Sequence, residues 1–463
     1  MDTVKNNRDL LEIKYKDKIT VHPKINRKIV SYQENKKDLV YSWFNYKEGF
    51  SESLISILVK DSNLNDINKI LDPFAGSGTT LFASQNLGIE SIGIELLPIG
   101  KFIFEIRDIA NNFNEFNELE DVIAHFENLD YDEIRIDSKY SFKHLKITEN
   151  AFSKTNEEKL NKSLTYIENS DFSCEIKKIL KFTVFSILEE ISFTSKDGQC
   201  LRWDSRSGKG KSDKQKNYIG EFHFTFINKL KKIKDDLEVY RYKFPFNGNS
   251  TPEYIEGTSF EELPSISEGS VDLIITSPPY LNRYDYTRTY ALELAFLGIT
   301  EDEIRKLRQE ILSSNVENRS KKEYIKDLYS NDLSQCEKII SIVENIDALK
   351  EVISILNEYK DQKKLNNNGI IRMIEFYFWE HAFIIYEMYR VLKKGGVIYY
   401  VNDNVRYAGE VIPVDLILSE IASQIGFEVM NIYTLKSRKG NSSQQMGMYG
   451  KETLRKCIYK WKK

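Results

Sequence analysis

The sequence predicts an α/β fold, in which strands buried on both faces alternate with helices. Three stretches carry this prediction: a strand, a glycine loop and a helix over residues 70–87, a second strand over residues 91–94, and an apolar strand over residues 271–276. A mostly apolar strand is typical of a parallel sheet covered by helices on both faces. The chain has 463 residues, of which 41% are hydrophobic, so it is long enough for two or three domains.

The first stretch has the form of a cradle for a nucleotide cofactor. Gly76 and Gly78 let the backbone approach a ligand closely, and the free N–H groups of the helix that follows face that ligand. The second strand ends in Glu95, 17 residues beyond Gly78, where a carboxylate can accept hydrogen bonds from a ribose. Leu81 stands where the dinucleotide fingerprint has its third glycine. The pattern therefore favours a smaller adenosine cofactor and disfavours a nicotinamide-dependent oxidoreductase.

The third stretch ends in a stiff, acceptor-rich loop, Ser277-Pro278-Pro279-Tyr280. The two prolines fix φ and remove two backbone donors, so the Ser277 hydroxyl and the carbonyls around Pro278 remain as acceptors. Tyr280 offers a ring face for stacking. Such a loop can hold an amino group carried on a flat ring. The alternative is a proline-stiffened turn with a tyrosine in the core.

Helical patterns fill most of the remaining chain, and an α/β order returns near its end. A helix is predicted over about 371–392, with residues 393–396 as its cap and a strand over 397–401. The other predicted helical regions are 104–192, 218–240 and 300–365, and the last predicted strands are 427–435 and 454–461.

Two of these motifs together resemble those of a known family. Asp-Pro-Phe-Ala-Gly-Ser-Gly-Thr at 72–79, followed by Thr-Ser-Pro-Pro-Tyr at 276–280, is similar to the amino-methylating DNA methyltransferases, which use S-adenosyl-L-methionine. The resemblance covers roughly half the chain and implies a Rossmann-like methyltransferase sheet with a large helical insertion. In that family the serine form of the catalytic loop is most often found in enzymes acting on N4 of cytosine, and the aspartate form in those acting on N6 of adenine. N4-cytosine methylation is therefore expected, with N6-adenine methylation as the alternative.

The resemblance also assigns site residues. It implies that the glycine loop holds the methionine part of the cofactor, that the acid after the second strand holds the ribose, and that residues 256–259 line the adenine pocket. Residues 43–46, with a helix from about 51 to 60, resemble the element that closes over the methionine end. The implied cofactor-binding residues are Trp43, Asp72, Phe74, Gly76, Gly78, Thr79, Glu95, Thr258 and Ser259, and the implied catalytic residues are Ser277, Pro278, Pro279 and Tyr280.

The order of the motifs indicates that a long insertion interrupts the cofactor-binding half. We expect five segments. They are 30–100, the first part of the catalytic domain; 101–250, a mainly helical insertion and candidate DNA-recognition region; 251–299, which carries the catalytic loop; 300–368, a helical and candidate DNA-contacting segment; and 369–463, the rest of the catalytic domain.

The formal charge of −4 requires that any DNA-binding surface be local. The most basic segment is 202–216, which is glycine-rich and carries one tryptophan, and the amide-rich segment 436–445 is a second candidate. The predicted DNA-binding residues are Arg202, Arg206, Lys209, Lys211 and Arg438. The alternative for both segments is a solvated polar loop.

Composition excludes several other classes. There is no apolar run of membrane length and no signal-peptide core at the start of the sequence, so a cytoplasmic protein is expected. The four cysteines and five histidines are scattered, which predicts neither a metal site nor a disulfide framework. None of the cysteines follows a proline, whereas the nucleophile of C5-cytosine methyltransferases resembles Pro-Cys.

The resemblance implies a place in bacterial restriction-modification, with double-stranded DNA as substrate and a separately encoded endonuclease that shares the target. In the expected reaction the target base is flipped out of the duplex and stacks on Tyr280. The Ser277 hydroxyl and the Pro278 carbonyl then accept the two hydrogens of its amine. A non-catalytic DNA-binding module remains an alternative, and the loop chemistry does not exclude RNA.

Overall fold

The computed structural model describes residues 6–197, 200–209, 215–243, 250–435, 449–450 and 453–463. Its strands are β1 (Ile19–Val21), β2 (Lys69–Asp72), β3 (Glu90–Glu95), β4 (Thr194–Asp197), β5 (Cys200–Trp203), β6 (Glu253–Glu256), β7 (Val271–Thr276), β8 (Leu392–Asp403), β9 (Val405–Tyr407), β10 (Glu410–Ile412), β11 (Glu428–Thr434) and β12 (Lys456–Lys462).

Helices surround these strands. They are α1 (Asn7–Tyr15), α2 (Glu52–Asp61), α3 (Thr79–Asn86), α4 (Pro98–Asn112), α5 (Phe116–Glu127), α6 (Lys154–Asn169), α7 (Cys174–Ile191), α8 (Phe222–Lys243), α9 (Ser259–Glu262), α10 (Tyr286–Thr289), α11 (Ala291–Phe296), α12 (Glu301–Glu310), α13 (Lys322–Leu328), α14 (Leu333–Glu344), α15 (Asp347–Asp361), α16 (Gly369–Val391) and α17 (Val414–Ile425). Among the described residues, no helix is long and apolar enough to cross a membrane.

Eight strands form one sheet in the order β1-β11-β12-β8-β7-β2-β3-β6. All neighbours in this sheet are parallel except β12, which runs antiparallel to both β8 and β11. Two short antiparallel pairs, β4 with β5 and β9 with β10, lie outside it. The predicted α/β fold is confirmed.

The order of the strands reverses between β2 and β7. The chain runs outward from β2 through β3 to β6 and then returns, so that β7 lies beside β2 with Ile70 opposite Leu273. Ligands of open α/β sheets bind in the crevice at the carboxyl ends of the strands where the order reverses. The glycine loop follows β2 and the Ser-Pro-Pro-Tyr loop follows β7, so the two motifs meet at this crevice.

Successive residues of the central strands face two different cores, because side chains alternate along a strand. Ile70 and Leu273 pack against the apolar side of α2, whereas Leu71 and Ile274 pack in the core that contains α16 and α17. All six residues of β7 are buried, which explains why its sequence is mostly apolar, with only Asp272 and Thr276 polar. The two helical layers thus hold the carboxyl ends of β2 and β7 in fixed positions.

A third core belongs to the long insertion. Its helices α4 to α8 bury one another's apolar faces together with side chains from residues 40–46 and from α11. The predicted segment boundaries stay a prediction.

One predicted boundary is wrong. Residues 393–396 do not cap α16, because β8 begins at Leu392, directly after that helix. The glycines instead form an irregularity inside the strand, where the register with β7 shifts and Gly395 takes a φ of +83°. A side chain at Gly396 would lie 2.8 Å from the Asp272 carbonyl, so a glycine fits this close approach of the two strands.

Candidate functional site

A cleft opens at the carboxyl ends of β2, β3, β6 and β7. We call it the glycine-loop cleft. Its empty volume, open mouth included, is about 820 Å³, within the range of small-molecule sites. The side chains and loops that line it include Tyr46, Glu48, Asp72, Phe74, Gly76, Thr79, Glu95, Thr258, Ser259, Ser277, Pro279 and Tyr286.

The glycine loop lies against the cleft in a conformation that only glycine adopts easily. Gly76 and Gly78 have φ values of +53° and +78°. A Cβ on Gly76 would lie 2.9 Å from the Tyr46 ring, and one on Gly78 would lie 2.9 Å from the Phe104 ring. Gly78 also begins α3 and does not itself line the cleft. The two glycines therefore let the backbone pass between aromatic rings.

Asp72 joins three elements at the base of the cleft. Its carboxylate accepts hydrogen bonds from the Thr80 hydroxyl of α3 at 2.6 Å, the Thr276 hydroxyl of β7 at 2.7 Å and the Phe74 N–H at 3.1 Å. Burial raises the pKa of Asp72 to about 6, although these three donors favour its ionised form. The side chain thus fixes the start of the glycine loop relative to the end of β7, where the Ser-Pro-Pro-Tyr loop begins.

Glu95 holds the loop from the other side. Its two oxygens accept hydrogen bonds from the N–H groups of Gly76 at 2.9 Å and Leu97 at 2.8 Å. Burial raises its pKa to about 7. The Tyr254 hydroxyl of β6 donates to the Gly76 carbonyl at 2.8 Å, so both polar groups of Gly76 are held.

The loop after β6 completes the wall of this cleft. Thr258 begins α9, and its hydroxyl accepts a hydrogen bond from the Glu261 N–H at 3.2 Å. The Ser259 hydroxyl donates to the Pro73 carbonyl. Both residues line the cleft beside the glycine loop, as do Phe74 and Thr79.

A second cleft adjoins the first on the other side of the Ser-Pro-Pro-Tyr loop. We call it the proline-loop cleft. Its empty volume, open mouth included, is about 1030 Å³, and its lining includes Pro278, Tyr280, Tyr284, Asp403 and Lys456. Asp403 and Lys456 form an ion pair across neighbouring strands, and burial raises the pKa of Asp403.

The two clefts meet at four residues that line both of them: Glu48, Gly49, Ser277 and Tyr286. The Ser277 hydroxyl donates to the Tyr280 hydroxyl at 3.2 Å. The next residue of the loop, Leu281, is held by the Tyr407 hydroxyl, which donates to its carbonyl at 2.7 Å. The start of the Ser-Pro-Pro-Tyr loop therefore lies at the boundary between the two clefts.

Comparison with known proteins decides the family. A family model for N6 and N4 methyltransferases, described as DNA methylase, matches residues 2–99. The type II methyltransferase M.BsoBI of Geobacillus stearothermophilus is 43% identical over 470 residues, which cover 98% of this chain and 91% of that protein. The chain belongs to the amino-methylating DNA methyltransferases of restriction-modification systems.

Two further relatives differ in extent. The type II methyltransferase M.AvaI of Nostoc sp. is 42% identical over 463 residues, which cover 98% of this methyltransferase and 92% of the relative. The type II methyltransferase M.MjaII of Methanocaldococcus jannaschii is 39% identical over 80 residues, 17% of this chain and 14% of that protein. No solved structure matches the chain.

Most of the predicted cofactor residues of this methyltransferase line the glycine-loop cleft, but Gly78 and Trp43 do not. Trp43 is 1% exposed and packs against Phe182 in the core of the insertion, where its indole N–H donates to Asp236 at 2.9 Å. Tyr46, three residues later, lines the cleft instead.

The predicted DNA-binding residues lie partly in intramolecular contacts. Arg206 donates to Asp204 at 2.8 Å, which holds the pKa of that carboxyl well below its usual range. Lys209 donates to the Lys146 carbonyl at 2.7 Å and lies over the Trp203 ring. Arg202 lies on β5, in the short antiparallel pair that carries this basic segment. Lys211 and Arg438 lie outside the described residues.

Several lining residues were not predicted from the sequence. Tyr46 lies in the segment 43–46 that resembles the closing element, and Glu48 lies two residues after it. The sequence therefore indicated that this segment is near the cleft, but not that these two side chains line it. Asp403 and Lys456 face each other across β8 and β12, and the end of α12 contributes Glu310 to the glycine-loop cleft. Asp403, Lys456 and Glu310 come from distant parts of the chain, and no sequence motif marks them.

Proposed function

We propose that this protein methylates N4 of cytosine at a specific site in double-stranded DNA, with S-adenosyl-L-methionine as methyl donor. The modification would protect the site from a separately encoded endonuclease of the same restriction-modification system. The relatives support this setting, since each is a type II methyltransferase.

The glycine-loop cleft suits the cofactor. Gly76, at a φ of +53°, lets the backbone line the cleft in contact with the Tyr46 ring, which a Cβ would meet at 2.9 Å. We propose that Asp72, Phe74, Gly76, Gly78 and Thr79 hold or shape the site for its methionine part, that Glu95 accepts from the ribose, and that Thr258 and Ser259 border its adenine. When bound, S-adenosyl-L-methionine supplies an electrophilic methyl group on a sulfonium.

The proline-loop cleft suits a base that has been flipped out of the duplex. Tyr280 and Tyr284 supply ring faces, while Asp403 and Lys456 supply an acceptor and a donor for a polar base edge. We propose that Tyr280 stacks on the base and that the fixed backbone of Pro278 and Pro279 orients its amine.

The single observation that carries the proposal is the position of Ser277, which lines both clefts. The amine of cytosine is a poor nucleophile because its lone pair is delocalised into the ring. Because the Ser277 hydroxyl donates to Tyr280, the lone pairs of its oxygen can accept one amine hydrogen, and the Pro278 carbonyl can accept the other. Held in this way, the nitrogen turns its lone pair towards the glycine-loop cleft, and positioning supplies most of the rate.

The choice of cytosine rests on serine rather than aspartate at position 277, and N6-adenine methylation is the second candidate. Mass spectrometry of nucleosides from DNA treated with the protein and labelled cofactor separates the two. We expect labelled N4-methylcytosine, and far less of it from the matched Ser277→Ala variant. Labelled N6-methyladenine as the only product would contradict the proposal.

A further inference from the structure

The reaction leaves one proton without an assigned acceptor. When an amine nitrogen bonds to the methyl carbon, the carbon–sulfur bond breaks and its electron pair stays on sulfur. The nitrogen is then positively charged and carries one proton too many. The Ser277 hydroxyl is a weak base, so a stronger base beside the amine would speed the loss of that proton.

Glu48 is the carboxylate at the place where the two clefts meet. It lies in the loop before α2, is partly exposed, and lines both the glycine-loop cleft and the proline-loop cleft, as Ser277 does. A group bound between the clefts therefore has Ser277 on the side of β7 and Glu48 on the side of the loop before α2.

The orientation of Glu48 is fixed from behind. The buried Tyr290 hydroxyl donates to its carboxylate and accepts from the Lys47 N–H at 3.1 Å. The Tyr290 ring stacks on Tyr46, with ring centroids 5.4 Å apart. The ammonium group of Lys196 lies over the Tyr290 ring, 4.8 Å from its centre. A carboxylate held this firmly at a boundary between two binding clefts has the geometry of a proton acceptor.

We propose that Glu48 accepts the proton that the target amine loses on methylation and passes it to water in the open cleft. The carboxylate becomes a carboxylic acid when it takes the proton, and the amine becomes neutral. This role rests on the proposed placement of cofactor and base, and it holds whether the amine belongs to cytosine or adenine.

The other carboxylates at the site are less suited to this step. Asp72, Glu95 and Glu310 line the glycine-loop cleft, but none of them lines the proline-loop cleft. Asp403 lines the proline-loop cleft but is ion-paired with Lys456 and does not line the glycine-loop cleft. Of these five carboxylates, Glu48 alone borders both clefts.

Partial burial raises the pKa of Glu48, which makes its carboxylate a stronger base than a fully exposed one. The titratable and charged groups that face it are Tyr46, Tyr284, Tyr286, Tyr290 and Lys196. Burial raises the pKa of each of these tyrosines above its ordinary value, so they stay neutral in the range where Glu48 titrates. Glu48 must be ionised to accept a proton, so its contribution is absent in acid and appears as pH rises through its raised pKa.

The test is single-turnover methyl transfer with cofactor and DNA both saturating, measured from pH 5 to 9. We expect Glu48→Gln to slow transfer roughly 100-fold at pH 8, the usual scale of a lost general base, while the Kd values for cofactor and DNA stay within about threefold. The ratio of wild-type to variant rate should shrink towards one in acid. Glu48→Asp, which keeps a carboxylate, should recover part of the rate and keep the pH dependence of that ratio.

Asp38→Asn is the matched control. Asp38 lies ten residues earlier, its pKa is also raised by burial, and it lines neither cleft, so its variant should transfer methyl at the wild-type rate. A Glu48→Gln rate within threefold of wild type would overturn the proposal, as would a slow rate whose ratio to wild type is independent of pH. If Glu48→Gln did not fold, Glu48→Asp would serve as the test. A ratio of wild-type to Glu48→Asp rate that does not depend on pH would then overturn the proposal. If the product were N6-methyladenine, the proposed choice of cytosine would be wrong, but the role of Glu48 could still be tested in the same way.

Discussion

The glycine-loop cleft and the proline-loop cleft are built in different ways. Most predicted residues of the first follow β2, β3 and β6, within a few residues of a strand end, and backbone hydrogen bonds to Asp72 and Glu95 fix its loop. The second gathers single side chains from residues 30–49, 277–286, 401–403, 435 and 456–457. The difference teaches that, under the proposed assignment, the cofactor is held by local motifs, whereas the site for the base is assembled from long-range contacts.

The largest effect should come from a substitution that changes cofactor binding at the glycine-loop cleft and leaves DNA binding unchanged. Gly76→Ala puts a Cβ 2.9 Å from the Tyr46 ring at a φ of +53°, which costs an L-residue about 1–2 kcal/mol before the ring moves. We expect the Kd for S-adenosyl-L-methionine to rise about 30-fold, which corresponds to ~2 kcal/mol. Calorimetric titration measures the cofactor Kd, and the Kd for a DNA site should stay unchanged.

Gly88→Ala is the matched control for that variant. Gly88 follows α3 at a φ of +72°, with open space around the position of a Cβ, so the substitution adds backbone strain without reaching either cleft. It should lower the free energy of unfolding and leave the cofactor Kd as it is. Equal losses of cofactor affinity in both variants would show that strain in this part of the fold, rather than the cleft wall, governs binding.

Most residues that line the glycine-loop cleft could be named from the sequence because they stand close to strand ends. Gly76 and Glu95 stand at fixed spacing from strand ends, and strand ends of a parallel sheet meet at one edge. Trp43 lies outside the cleft because its large ring fills the core of the insertion, which no motif signals. The position of Glu48 between the clefts was not predicted either, because its hydrogen-bond partner Tyr290 is far away in the chain.

An intermediate effect should come from the charge on Glu95. Its pKa is raised to about 7, so in the cofactor-free protein this group favours stability at low pH, and that contribution is lost as pH rises towards 7. Ribose hydroxyls are donors and favour the carboxylate, so cofactor affinity should increase with pH up to about 7 and then level off. Below that pH we expect the Kd to rise by up to tenfold per pH unit.

Calorimetry in buffers of different ionisation enthalpy should detect proton release on cofactor binding near pH 6. Glu95→Gln should bind more weakly above pH 7 and lose most of this release, the remainder coming from Asp72, whose pKa is raised to about 6. Proton release that is the same in the variant and the wild type would mean that Glu95 does not face the ribose.

The smallest effect should be that of Trp43→Phe, and it tests a predicted cofactor residue that lies in the core of the insertion, outside the cleft. The change removes the indole hydrogen bond to Asp236, which also pairs with Lys232 at 2.7 Å and so keeps a partner. Denaturant unfolding should show a loss of about 1 kcal/mol, with the cofactor Kd unchanged. Tyr46→Leu, which removes a ring from the cleft wall, should weaken cofactor binding instead. If Trp43→Phe weakened cofactor binding several-fold at unchanged stability, residues 43–46 would have to rearrange when the cofactor binds. Trp43 would then belong to the cofactor site and not only to the core of the insertion.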